Sequence, residues 1–188
     1  ICDDGNRDSV KRLAKKHHVG YIARPTHEHA KAGNLNYALG HARGEIIVTQ
    51  DADMVPKREF LKRTLGYFSD KKVGFVQTPQ TFFNRDIFQH NLYLDREVNN
   101  EQDFFMRSLE EGKDQFNAVL YIGSNALFQR KALREIGGFT TGVITEDMAT
   151  GLLLQNAGWK GIFVNEALAS GLSPETLGDY IKQRDRWG

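Results

Sequence analysis

Glu45-Ile46-Ile47-Val48-Thr49 is a short, β-branched run with no alternation of polar and apolar residues, and it leads straight into Asp51-Ala52-Asp53. A run of this kind reads as a strand buried on both faces, and such strands belong to α/β sheets covered by helices. In open sheets of that type, ligands gather beyond the carboxyl ends of the strands. The rest of the chain repeats the pattern. Val19 to Ala23, Val73 to Gln77, Ala118 to Phe128 and Lys160 to Val164 read as strands or strand-rich stretches. Helical stretches fall between them: a short helix capped by Asp8 or Ser9 with Val10, Leu13 and Ala14 apolar, then Leu35 to Ala42, Arg58 to Phe68, Glu146 to Ala157 and Thr176 to Trp187. Gly158 suits a left-handed helix end. Asp86 to Glu111, rich in aromatics and poor in breakers, reads as one or two helices over a groove, with Phe104 and Phe105 in the core. The 188 residues suit one compact domain spanning 1–188.

Several function classes recede at once. Lys and Arg number 25 against 24 Asp and Glu, a net charge of +1, so the global field that a nucleic-acid binder uses is missing. Cys2 is the only cysteine, which excludes an internal disulfide. No apolar run reaches the length of a membrane-spanning helix. The six His residues form no metal-ligand pattern.

Polar groups at strand and helix ends carry the chemistry. Asp51 and Asp53, two residues apart after a strand, can hold a divalent cation with diphosphate oxygens completing its shell, although a solvated turn has the same composition. Asp3-Asp4-Gly5 can accept hydrogen bonds from a base or ribose, or can simply make a turn. Lys31-Ala32-Gly33-Asn34-Leu35-Asn36 sets an ammonium at a helix start, a natural phosphate site, although an ordinary helix start with a solvated Lys has the same pattern. Thr145-Glu146-Asp147 opens a helix with Thr145 as a plausible N-cap, and its acids also suit the helix dipole. Gln183 and Trp187 lie one helical turn apart with Arg186 beside them, an arrangement suited to a sugar and a phosphate or to an amphipathic end helix.

The order and spacing of these segments is more specific than any one of them. Asp-Asp-Gly, Lys-Ala-Gly-Asn-Leu-Asn, Asp-Ala-Asp, Gln77-Thr78-Pro79-Gln80, Tyr121-Ile122-Gly123-Ser124-Asn125, Thr-Glu-Asp and Gln-Arg-Asp-Arg-Trp occur in one chain. So do Asn100-Glu101-Gln102 and Ala169 to Glu175. The series resembles the processive family-two glycosyltransferases, most closely their bacterial cellulose-synthesising members, over essentially the whole chain. The resemblance implies a GT-A fold, a Rossmann-like nucleotide-diphospho-sugar transferase domain of three layers around a mixed sheet, with its first strand preceding Ile1.

It further implies a UDP-sugar donor and a growing glycan acceptor, with Asp3 and Asp4 at the uridine and Lys31 near the nucleotide. Asp51 would contact UDP, Asp53 would coordinate Mg²⁺ (or Mn²⁺), and Asp147 would be the general base. Gly123 and Ser124 would line the acceptor groove, while Gln183, Arg186 and Trp187 would hold the diphosphate and the glycan end. The implied reaction is transfer of glucose from UDP-glucose to a β-1,4-glucan at the cytoplasmic face of the plasma membrane. Its membrane segments would lie outside this fragment, and no nucleic acid takes part. Other β-glycans and a non-catalytic nucleotide-sugar-binding subunit are the alternatives. The family's acceptor motif usually reads Phe-Phe-Cys-Gly-Ser, where this chain has Tyr121-Ile122-Gly123-Ser124.

Overall fold

The computed structural model describes residues 1–93 and 98–187, with side chains for all of these except Arg186 and Trp187. Its elements run α1 (Asp8–Lys16), α2 (Ala30–His41), β1 (Ile46–Thr49), β2 (Val55–Pro56), α3 (Phe60–Thr64), a 3₁₀ turn (Leu65–Ser69), β3 (Val73–Gln77), β4 (Thr81–Phe82) and α4 (Ile87–Leu92). A π-helical stretch (Phe104–Leu109) then leads into α5 (Glu110–Asp114), β5 (Ala126–Gln129), α6 (Arg130–Glu135), α7 (Glu146–Asn156), β6 (Lys160–Phe163), β7 (Ala169–Gly171) and α8 (Leu177–Trp187).

The main sheet has the order β1-β5-β3-β6 and is mixed, since β5 runs antiparallel to both neighbours while β3 and β6 are parallel. Its side chains feed two cores, which makes the three layers. Phe75 and Phe128 point with Ala32 and Leu39 of α2, Leu133 of α6 and Leu154 of α7 into one cluster. Val73, Val76 and Leu127 meet Phe60 and Phe68 in the other. Val73 and Phe75, two apart, fall in different clusters because the β3–β6 register shifts between them. In the first cluster Phe128 packs edge-on against Tyr121, centroids 4.8 Å apart, and against Phe139 at 5.4 Å. Contacts of this kind add about 0.5–1.5 kcal/mol each beyond area burial, so truncating Phe128 would cost about 3–5 kcal/mol.

The β6 edge is covered by side chains standing in for a further strand: Asp114 accepts from the Phe163 N–H, and Asn117 accepts from the Gly161 N–H while donating to the Trp159 carbonyl. A small sheet, β2-β7-β4, closes the region after Asp53.

Several expectations change in detail. Val19 to Ala23 is not a strand but a single parallel bridge, Cys2 to Ile22. Neither Asp8 nor Ser9 caps α1: the N-cap is Arg7, without a side-chain bond. Of its apolar residues only Ala14 is buried, and Leu13 is exposed. The Arg58–Phe68 helix is a short α3 followed by a 3₁₀ turn. Ala118–Phe128 is a strand only from Ala126, because Gly123 and Asn125 take positive φ values of 87° and 56°. Phe104 is exposed, since the π-helical stretch turns it outward while Met106 is buried. Gly158 takes its left-handed conformation at φ 88°.

Candidate active site

The residues that follow β1 form a turn closed by the Met54 N–H donating to the Asp51 carbonyl at 3.1 Å. That turn hangs between β1 and β2, so Asp51 and Asp53 leave the sheet at its carboxyl end. Asp53 is exposed, and Asp51 is ion-paired with Lys31. Lys31 lies in the first turn of α2, which begins at Ala30 and not at Leu35.

Arg24 explains the early start. Buried, it donates to the Glu28 carbonyl at 2.5 Å and the Ala30 carbonyl at 2.8 Å, holding His29 and Ala30 at positive φ. Gly33 is required there, because a Cβ on it would lie 2.2 Å from the Glu28 carbonyl and 2.3 Å from Arg24 Nη1.

The segment Tyr121–Asn125 crosses the same end of the sheet. Gln77, fully buried, donates to the Ser124 carbonyl at 2.8 Å and the Thr78 carbonyl at 2.7 Å and accepts from the Ile122 N–H at 3.1 Å. Thr78 donates its N–H and hydroxyl to the Asn125 carbonyl, and Gln80 donates to the Ile122 carbonyl. The Gln-Thr-Pro-Gln segment is therefore a brace for this loop. The Tyr121 hydroxyl donates to the Gly123 carbonyl at 2.9 Å. Burial pushes that phenol far above its ordinary range, with the carboxylates of Asp147, Asp51 and Glu146 adding to the effect, so it stays neutral.

Asp147 reaches the loop from the first turn of α7. Its Oδ1 accepts from the Met148 N–H at 2.8 Å, and its Oδ2 faces Gly123, where a Cβ would lie 2.9 Å from it and 3.6 Å from Lys31 Nζ. Asp147 thus serves the helix end and points at the site at once. Thr145 takes the N-cap position without making a capping bond. Lys31, Tyr121, Gly123, Glu146 and Asp147 line a small cavity of about 40 Å³.

The other expected site residues divide. Asp3 is buried and its carboxylate is used internally, accepting from the Arg7 side chain at 2.7 and 3.0 Å, the Arg7 N–H at 2.8 Å, Tyr21 at 3.1 Å and the Gly5 N–H at 3.2 Å. The Arg7 side chain foremost, then its N–H, hold the Asp3 carboxyl at about 2. Asp4, partly exposed, is paired with Arg24 at 2.5 and 2.7 Å, which lowers its carboxyl. Ser124 is fully buried. Gln183 lines a separate, open pocket of about 300 Å³ with Leu172, Ser173, Asp179 and Lys182. The side chains of Arg186 and Trp187 lie outside the described residues. Lys31, Asp51, Gly123 and Asp147 are brought together, and Gln183 stands apart from them.

Among the described residues no three His, Cys, Asp or Glu side chains gather as a cation cage. Magnesium-type ions commonly take one or two carboxylates and draw their remaining ligands from phosphates and water. The Asp51–Asp53 turn fits an ion of that kind arriving with a nucleotide diphosphate. None of the described helices is long and apolar enough to cross a membrane.

A carboxylate-bearing turn at a strand end, an acid on a facing helix and a braced glycine loop stand together on a mixed α/β sheet, and the fold is that of GT-A glycosyltransferases. The chain belongs to the family described as glycosyltransferase like family 2, whose profile matches residues 1–188. It is 43% identical over all 188 residues to the UDP-forming cellulose synthase 1 catalytic subunit of Komagataeibacter xylinus, covering 25% of that protein. It is likewise 43% identical to the UDP-forming cellulose synthase catalytic subunit of Pseudomonas fluorescens, again over 25% of its length. The chain therefore spans a quarter of the length of these two relatives and 12% of other, longer cellulose synthases it matches. Among solved structures, a mannosyltransferase from Pyrobaculum calidifontis in complex with GDP-Man and Mn²⁺ superposes with a TM-score of 0.72 at 25% identity, over 98% of this chain and 49% of that one.

Sequence reasoning did not find Arg24, and it named Gln77 and Ser124 only as motif residues, without their bracing parts. The partners of Gln77 and Ser124 across this site lie 45 to 73 residues away along the chain.

Proposed function

We propose that this domain is the catalytic core of an inverting, processive glycosyltransferase that transfers glucose from UDP-glucose to the end of a growing β-1,4-glucan. The observation that carries the reading is the convergence of Asp147 and Lys31 on Gly123, with Asp51 ion-paired to Lys31, in a chain alike along its whole length to UDP-forming cellulose synthases. A sugar hydroxyl is too weak an acid to attack unaided, so a carboxylate must take its proton as the bond forms. Asp147 is that carboxylate, aimed over a residue without a side chain, where an acceptor hydroxyl can approach.

Attack at the anomeric carbon expels UDP on the opposite face, and this single displacement turns an α-linked donor into a β-linked product. Lys31 neutralises charge on the nucleotide side, with Asp51 beside it and Asp53 as the metal ligand. A bound Mg²⁺ or Mn²⁺ supplies further charge stabilisation to the departing diphosphate. Asp3 shapes the uridine end from inside the turn, and Asp4 stands at its edge. Gln183, Arg186 and Trp187 hold the product end beside the donor, the indole covering an apolar sugar face. The membrane segments and the placement at the cytoplasmic face belong to parts of the protein outside this domain.

The test is product chemistry. Membranes carrying the full-length protein, supplied with radiolabelled UDP-glucose, should form a polymer that a β-1,4-glucanase degrades. Incorporation from UDP-N-acetylglucosamine in preference to UDP-glucose would overturn the donor assignment.

A further inference from the structure

Ser124 was expected at the acceptor, yet none of its surface is exposed and its hydroxyl faces the other way. The Asp51 N–H donates to Ser124 Oγ at 2.9 Å. One residue along, Gln50 Nε2 donates to Asn125 Oδ1 at 3.2 Å. Two consecutive residues of the donor turn are thus tied to two consecutive residues of the acceptor loop. The loop is itself immobilised by Gln77, which grips the Ser124 carbonyl and the Ile122 N–H from the buried strand β3. The alternative tether on Asp51, its ion pair with Lys31, joins two side chains each more than a third exposed. Exposed pairs of that kind hold little against water and salt. The interior bond to Ser124 is the stiffer constraint.

We propose that Ser124 is a positioning residue for the donor: its hydroxyl, held in place by the Gln77 brace, fixes the Asp51 backbone and thereby the nucleotide-facing carboxylate. The acceptor loop and the donor turn behave as one rigid piece, so the acceptor hydroxyl and the anomeric carbon are set at a constant separation. This rests on the nucleotide reading given above, but it makes a claim about this chain's own backbone that can be read without ligand. Ser124→Ala removes one buried acceptor and leaves the Asp51 N–H without a partner. Losing one hydrogen bond corresponds to roughly a 2- to 10-fold weakening.

In the full-length protein, Ser124→Ala is compared with wild type and with Thr64→Ala. The control removes another buried hydroxyl, one that bonds the Phe60 carbonyl within α3. Amide exchange of the peptide covering Gln50 to Asp53 should quicken in Ser124→Ala and stay at the wild-type rate in Thr64→Ala. UDP affinity in Mn²⁺ should fall about 2- to 10-fold, with KM for UDP-glucose rising in step and turnover at saturation changing less. Ser124→Thr, which keeps the hydroxyl, should restore both readouts. Unchanged exchange with a loss confined to turnover would overturn the proposal and return Ser124 to the acceptor. Should Ser124→Ala fail to fold, Ser124→Thr decides: wild-type exchange and UDP affinity support the proposal, and quickened exchange in a folded Thr variant overturns it. A wild-type protein that binds no UDP would instead sink the donor reading, while the exchange comparison would still judge Ser124.

Discussion

Gly123 faces Asp147 so closely that a Cβ on the glycine would lie 2.9 Å from the Asp147 Oδ2. The glycine also holds φ at 87°, where a side chain is strained. The gap in front of the acid therefore exists because two requirements, one steric and one conformational, both exclude any other residue.

Gly123→Ala should accordingly cut transfer much more than it lowers stability. The strain is on the order of 1–2 kcal/mol, whereas displacing a catalytic group by about 1 Å can cost roughly 10²-fold in rate. Assays of polymer formation beside thermal melts check this. An alanine variant that polymerises at the wild-type rate would show that Asp147 does not work across this gap.

Asp3 offers a pH signature. Its carboxyl is held at about 2, below its ordinary value of 3.8, first by the Arg7 side chain, then by the Arg7 N–H. A depressed carboxyl contributes stability that is complete above its unfolded value and is lost as pH falls through the folded one. Wild type should therefore lose stability between about pH 4 and about pH 2 more steeply than Asp3→Asn, and the variant should melt lower at neutral pH. Parallel acid limbs in urea or thermal unfolding would contradict this account of the turn.

Metal dependence should run through Asp53. Mg²⁺ or Mn²⁺ should tighten UDP binding to the full-length protein, and Asp53→Asn should abolish the enhancement while leaving metal-free binding in place. Calorimetry with and without a chelator reads it directly. Equal UDP affinity in the two conditions for wild type would remove the metal from the donor site.

The sheet was legible where local pattern and tertiary context agree. Val73–Gln77 is a strand with the bounds that its apolar run implies, and Glu146 opens α7 where the Thr-Glu-Asp motif lies. Asp51 and Asp53 do follow a strand, but β1 is not the strand buried on both faces that its β-branched composition implies: it lies at the sheet edge, with Val48 exposed and only Thr49 fully buried. The misses come from side chains that no periodic pattern registers. Residues 30–34 join α2, where Arg24, from outside the helix, grips the Glu28 and Ala30 carbonyls and fixes the chain at its start. Tyr121 to Asn125 abandons strand geometry because Gln77 binds it from 47 residues away along the chain. Asp3 and Ser124 carry the right chemistry for ligands, yet in the fold their oxygens face inward. Residue type marked the candidates, and burial separated those open to a ligand from those that bond one another.

The most direct test of the central claim is Asp147→Asn in the full-length enzyme, with UDP binding and glucose transfer measured on the same preparation and Glu146→Gln carried beside it. Loss of the base should cut turnover by roughly 10²-fold or more while UDP affinity stays near wild type. Glu146→Gln should retain most of the activity. An Asp147→Asn enzyme that still builds polymer near the wild-type rate, or one whose activity falls only as far as its UDP binding does, would contradict the assignment of Asp147 as the base.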